Sequence, residues 1–149
     1  MAEKYFIRQE AQELLPIIEP HLKQARQQKQ RLEALEADLA RAVSRLMLLG
    51  GSFPPYAELA EKRAEHDKAV AKLVELVNKI QQTGCVVKDL DMGLVDFPSL
   101  LRGEEVYLCW KLGEERIGYW HGTEEGFAGR KPLDDPKSAE LPPPSPRVQ

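Results

Sequence analysis

GLVDFPSLLRGEEVYLCWKLGEERIGYWHGTEEGFAGR, residues 93–130, is the stretch whose reading decides the fold. It gathers both tryptophans, one of the two cysteines and one of the three histidines. With CVVKDLD just upstream, it breaks into short runs, GLVDF, EEVYLCWKL and RIGYWH, rich in Val, Tyr, Phe, Trp and Leu and separated by turns that contain Gly or Pro. Runs of that kind are read as strands of a small antiparallel sheet. In the last hairpin the LGEERI turn sets Leu112 opposite Ile117, so that Trp110 faces Tyr119 and Leu108 faces His121. One face then carries Val106, Leu108, Trp110, Leu112, Ile117, Tyr119 and His121 and is expected to pack on a helix. The other carries Tyr107, Cys109, Lys111 and Trp120.

Upstream of the sheet the apolar period is helical. From Ile7 to about Leu48, the residues Ala11, Leu14, Ile18, Ala25, Leu32, Leu35, Leu39, Ala42 and Leu46 fall on a and d heptad positions, with His21 and Gln28 at d. Pro16 and Pro20 remove helical N–H donors, which predicts a kink or a short separate helix there. LGGSFPPY stops this helix in a turn, with Gly50 or Gly51 as the left-handed cap. A second heptad, Tyr56, Leu59, Arg63, His66, Val70, Leu73, Val77 and Ile80, runs to about Gln82 and ends at Gly84. The two helices should pair antiparallel, with Leu46 against Tyr56 or Leu59, Leu39 against Arg63 or His66, and Leu32 against Val70 or Leu73. The first helix is then longer by roughly ten residues, and its excess must be covered by the sheet.

These readings give an α+β fold: a long, coiled-coil-like antiparallel helical hairpin at 7–83 with a small antiparallel sheet at 84–133 packed at its base, together one domain spanning 1–133. The remaining 134–149, DPKSAELPPPSPRVQ from its second residue on, has too little apolar content to fold and enough proline to be extended, and is expected to be a disordered tail.

YFIRQEAQELLP, KDLDMGLVDFP and EVYLCWKLGEERIGYWHGTEEGFAGRKPL together resemble the bacterial family catalogued as domain of unknown function 2203, with the likeness running from Lys4 to Leu133 and VDFP, YLCW and IGYWH its most specific parts. The resemblance implies the hairpin and small sheet, and carries over no activity, cofactor or functional residue. Ile7 and Arg8 depart from the pattern, standing where a Thr or Ser cap is expected.

The chain has 149 residues, the size of one domain, and a formal charge of −3 from 21 basic and 24 acidic residues that are interspersed. No basic field suited to a phosphate backbone follows, so nucleic acid is not an expected partner. Cys85 and Cys109 lack CxxC spacing and MAEKYFIRQEAQELL lacks a signal core, which predicts a cytoplasmic protein with reduced thiols. No apolar run approaches the roughly 20 residues of a membrane span.

Among candidate sites, His121 with Glu124 and Glu125 offers an imidazole and carboxylates suited to a divalent metal, against the plainer reading of a strand-end histidine held by a hydrogen bond. In the register above Cys109 lies on the opposite face from His121, so the two cannot share an ion. Asp89, Asp91 and Asp96 flank the VDFP turn; they suit turn caps, or pairing with Arg102, Arg116 or Arg130, or acid–base chemistry. Tyr107, Trp110, Tyr119 and Trp120 are read as core before they are read as a stacking platform. Cys109 is read as a small hydrophobe, and His66 as a polar register device in the seam or a weakly pH-sensitive spot. GFAGR is a loop that closes over the sheet, or an anion cradle centred on Arg130.

Two functional readings follow. The first is a non-enzymatic module that self-associates into a homodimer, since Ala37, Ala40, Ser44 and Met47 with Ala57, Ala60, Ala64 and Ala71 form a small-residue stripe beside the seam. The second is a metal- or small-ligand-binding protein, or an enzyme, with its site at His121, Asp96, Trp120, Glu124 and Arg130. Convergence of those five groups in space separates the two. Neither cofactor nor protein partner can be named from the sequence.

Overall fold

The computed structural model describes residues 4–48 and 56–133. Helix α1 spans Arg8–Leu48 and helix α2 spans Tyr56–Gln81; then come strands β1 (Val86–Asp89), β2 (Leu94–Leu101), β3 (Glu104–Lys111) and β4 (Tyr119–Gly122), a 3-10 turn at Phe127–Gly129, and the short β5 (Lys131–Pro132). All strands pair antiparallel with their sequence neighbours, in the order β1-β2-β3-β4-β5. The expected α+β architecture is thus present, with one strand more than the four read from the sequence. The turn expected at LGGSFPPY and the tail at 134–149 lie outside the described residues.

Helix α1 starts without a Ser or Thr cap because Glu10 reaches back and accepts the Ile7 N–H at 3.1 Å, the carboxylate half of a capping box. It runs through Pro16 and Pro20 as one element, so no separate N-terminal helix forms. Both prolines are exposed. The carbonyls that lose their helical donors therefore lie on the side open to water, where the loss costs least.

The helices cross-link as an antiparallel pair through Lys62–Asp38, His66–Glu36 and Arg31–Glu65. The seam differs from the heptad reading at alternate positions. On α1, Leu15 and Leu22 are buried where Leu14 and His21 were expected; on α2 the inward positions are Lys62, Ala69 and Leu76 in place of Arg63, Val70 and Val77. A straight helix drifts by about 20° per heptad, which lets a neighbouring row take over. Ala69 allows close approach, and the Lys62 stem is covered while its ammonium reaches Asp38. Leu59, His66, Leu73 and Ile80 stand where expected.

The first turns of α1 pack on the sheet: Ala11, Leu15, Ile18 and Leu22 share a core with Phe6, Ile80, Cys85, Val95, Phe97, Leu108, Trp110 and Ile117. Phe6 meets Phe97 edge to face at 5.3 Å, donates its N–H to the Pro98 carbonyl, and accepts from the Ser99 hydroxyl. Arg8 and Gln12 bind the carbonyl and N–H of Ile117, pinning α1 to the β3–β4 connection.

Two registers place the site. VDFP lies inside β2 rather than in a turn; the turn is Leu90 to Gly93, closed by Gly93 N–H to the Leu90 carbonyl. Because the Pro98 carbonyl bonds Phe6, its polar edge faces away from β3, and its missing N–H costs the β2–β3 ladder nothing. The hairpin turns through Arg102 and Gly103, both at positive φ (52° and 81°), a two-residue type I′ turn that fixes Asp96 opposite Cys109.

The β3–β4 register departs by one residue from the expected one. Tyr107 pairs with His121, Leu108 with Trp120 and Cys109 with Tyr119. The cause is Ile117, which leaves the ladder to fill the core under α1, so the connection is longer than a tight hairpin. A slip of one residue reverses every side chain of the strand. Trp120 joins the helix-side core, while Tyr119 and His121 go to the far face beside Cys109, the reverse of the expected arrangement.

Candidate functional site

On the face of the sheet away from the helices, Asp96 of β2, Cys109 of β3 and His121 of β4 stand on three adjacent strands. Alternation from Pro98 makes Asp96 and Cys109 a non-hydrogen-bonded pair, the kind whose side chains stand closest. One donor atom from each of the three lies within 4.8 Å of the others, and all three residues are 1% exposed. The expectation that Cys109 and His121 cannot share a ligand is therefore overturned, by the same register shift that moved Trp120.

His121 Nδ1 is 2.8 Å from the Gly122 carbonyl, which can only accept, so Nδ1 carries a proton and Nε2 turns inward to Asp96 Oδ2 at 3.1 Å. The second carboxylate oxygen, Asp96 Oδ1, is buried without a hydrogen-bond partner. Burial, then the neighbouring Asp96 charge, pushes the Cys109 thiol up to about 12, with Arg130 pulling weakly the other way. Cys85, on the core side, is pushed up to about 11, mainly by burial. Both thiols are protonated at neutral pH. With both imidazole nitrogens already engaged, the ring is not free to take the Cys109 proton, so the trio is not a Cys–His nucleophile–base pair.

The other anticipated site residues do not join it. Glu124 is exposed. Glu125 accepts the Gly122 N–H at 2.8 Å and pairs with Lys131, and these two contacts, Lys131 first, lower its pKa. Trp120 lies on the opposite face with the Lys131 ammonium 4.6 Å from its ring centroid. Arg130 lies over Tyr119 at 4.0 Å and gives Glu114 hydrogen bonds of 2.7 and 3.0 Å; burial lowers its pKa, but Glu114 and Cys109 together more than offset it. The GFAGR segment closes over the sheet through this residue. Asp89 caps the Met92 N–H, as turn chemistry predicts, and Asp91 pairs with Lys29.

Of the five groups, then, Asp96 and His121 converge, and Trp120, Glu124 and Arg130 do not. Cys109, the third member of the buried cluster, was left out by the wrong register. Arg102-Gly103 held the signal for half of it: read as a two-residue turn, it sets Asp96 opposite Cys109 directly.

Fold and site together define an α+β protein in which a helical hairpin carries an antiparallel five-stranded meander with a sealed Asp–Cys–His cluster on its outer face. The chain belongs to the family described as Uncharacterized conserved protein (DUF2203), whose model matches residues 4–133. Comparison with curated proteins and with solved structures gave no match.

Proposed function

We propose that this chain is a non-enzymatic interaction module of the bacterial cytoplasm, folded as one domain over 1–133, which self-associates through its hairpin as a homodimer in a coiled-coil-like four-helix arrangement. The supporting observation is the outward face of the helices. Ala37, Ala40, Ser44, Met47, Ala57, Ala60, Ala64 and Ala71 are all exposed, and Val43 and Val74 lie exposed among them. Small side chains let a second helix pair approach closely, and the flanking apolar area rewards burial. Sedimentation tests this. Ala40→Glu with Ala60→Glu should shift a dimer toward monomer, and a wild type that is already monomeric at high micromolar concentration would refute the proposal.

A second reading, a metal- or small-ligand-binding protein centred on His121, is favoured by one observation: the convergence of Asp96, Cys109 and His121 around a carboxylate oxygen that has no partner.

A further inference from the structure

We propose that Asp96, Cys109 and His121 bind one divalent ion of the zinc class on the outer face of the sheet. The inference rests on the second reading above and names its ligand. Three observations carry it. The donors come from three adjacent strands, so the ladder itself holds them within 4.8 Å. The Nδ1–H bond to the Gly122 carbonyl fixes the tautomer and leaves Nε2 to point into the cluster, which is how metal-ligating histidines are commonly oriented. Asp96 Oδ1 is buried without a hydrogen-bond partner, and the donor beside this carboxylate on β3 is the weak Cys109 thiol, at a place where a cation would supply a stronger interaction.

The donor set selects the ion. A thiolate, an imidazole nitrogen and a carboxylate oxygen together suit a borderline-soft dication such as zinc, whereas calcium and magnesium require oxygen alone. Charge agrees with burial: one thiolate and one carboxylate neutralise a dication, so the loaded site adds no net charge to a closed interior. Binding forms the Sγ–metal bond and breaks the Sγ–H bond, and the proton leaves to solvent along with any proton shared by Nε2 and Asp96. Three protein ligands leave one corner of a tetrahedron to water or a backbone carbonyl. Since each ligand residue is 1% exposed, the ion would enter as the sheet forms.

The test is refolding. Full-length protein, untagged, is unfolded with chelator and reductant and refolded with zinc chloride, with cobalt chloride, or with neither. Native mass spectrometry should find one zinc per chain, and the cobalt form should show the thiolate-to-cobalt charge-transfer band of a tetrahedral site. Cys109→Ser should lose the band and the ion, while Cys85→Ser keeps both. If Cys109→Ser does not fold, His121→Gln with a native circular dichroism spectrum should lose the ion instead. Wild type that refolds fully without binding zinc, or zinc retained by Cys109→Ser, overturns the proposal. If zinc fails but a metabolite raises the melting temperature in a His121-dependent way, the proposal falls and the broader ligand reading survives. If neither binds, both fall.

Discussion

At the scale of single residues, two glycines at positive φ separate backbone strain from crowding. Gly93 has φ +72°, and a Cβ there would lie 2.7 Å from Leu112 Cβ; Gly103 has φ +81° with nothing within 4 Å. Gly103→Ala should therefore cost only the left-handed penalty, about 1 kcal/mol. Gly93→Ala adds an overlap between two backbone-anchored carbons that neither rotamer change nor solvent can relieve, for a total of about 2–4 kcal/mol. Urea unfolding of the two variants checks the difference, and equal losses would show that the Leu94–Lys111 end of the sheet is softer than its packing implies. The same scale explains what the sequence hid. Asp96 and His121 were legible as candidates from residue type alone, but Cys109 was not. Its membership depends on which face β4 presents, and this turns on a single isoleucine, Ile117, whose burial under α1 no local pattern reveals.

At the scale of elements, the hairpin seam was legible in period and only partly in phase. Heptad spacing identifies that a stripe exists; whether Val70 or Ala69 faces inward is decided by how closely the helices approach, and that is a tertiary quantity. His66 was read correctly as a polar seam residue. It sits half-buried with Nε2 3.3 Å from Glu36 and Nδ1 3.4 Å from Asp67, and those two hydrogen bonds, Glu36 first, raise its pKa against a weaker lowering by burial. A folded-state value above the unfolded one means that the contact stabilises most below the ordinary imidazole pKa, and that the gain is lost as pH rises through the raised value. Wild type should thus melt above His66→Gln on the acid side of the ordinary imidazole pKa, and the gap should close as pH rises through the raised value. A gap that is constant, or that widens with pH, would show that the imidazole stays neutral in the seam.

At the scale of the whole molecule, the sheet and the base of the hairpin are one core, and Leu133 closes it: its N–H bonds the Gly118 carbonyl and its side chain packs on the core cluster. Beyond it the sequence offers little apolar area to offset an ordering cost of about 1–2 kcal/mol per residue. A chain ending at Leu133 should melt within about 2 °C of full length, whereas one ending at Arg130, which loses β5 and Leu133, should melt well below it. Calorimetry of the two truncations decides, and a large drop for the first would assign the last residues a docking role. Architecture was the most legible level of all. Helix–turn–helix and then strands follow from a change of period near Gly84, and little else can be done with a hairpin whose first helix outruns its second.

The continuity of α1 through Pro16 and Pro20 has a mechanical consequence. Its sheet-packed turns end near Leu22, and the helix continues to Leu48, which at 1.5 Å per residue is about 39 Å of rod projecting past the shared core. The exposed stripe sits toward the far end of that rod and the Asp–Cys–His cluster belongs to the sheet at the near end. On the proposals above, the helix would act as a spacer: a second copy bound along the stripe would stand clear of the sheet, and an ion in the cluster would meet no steric interference from it.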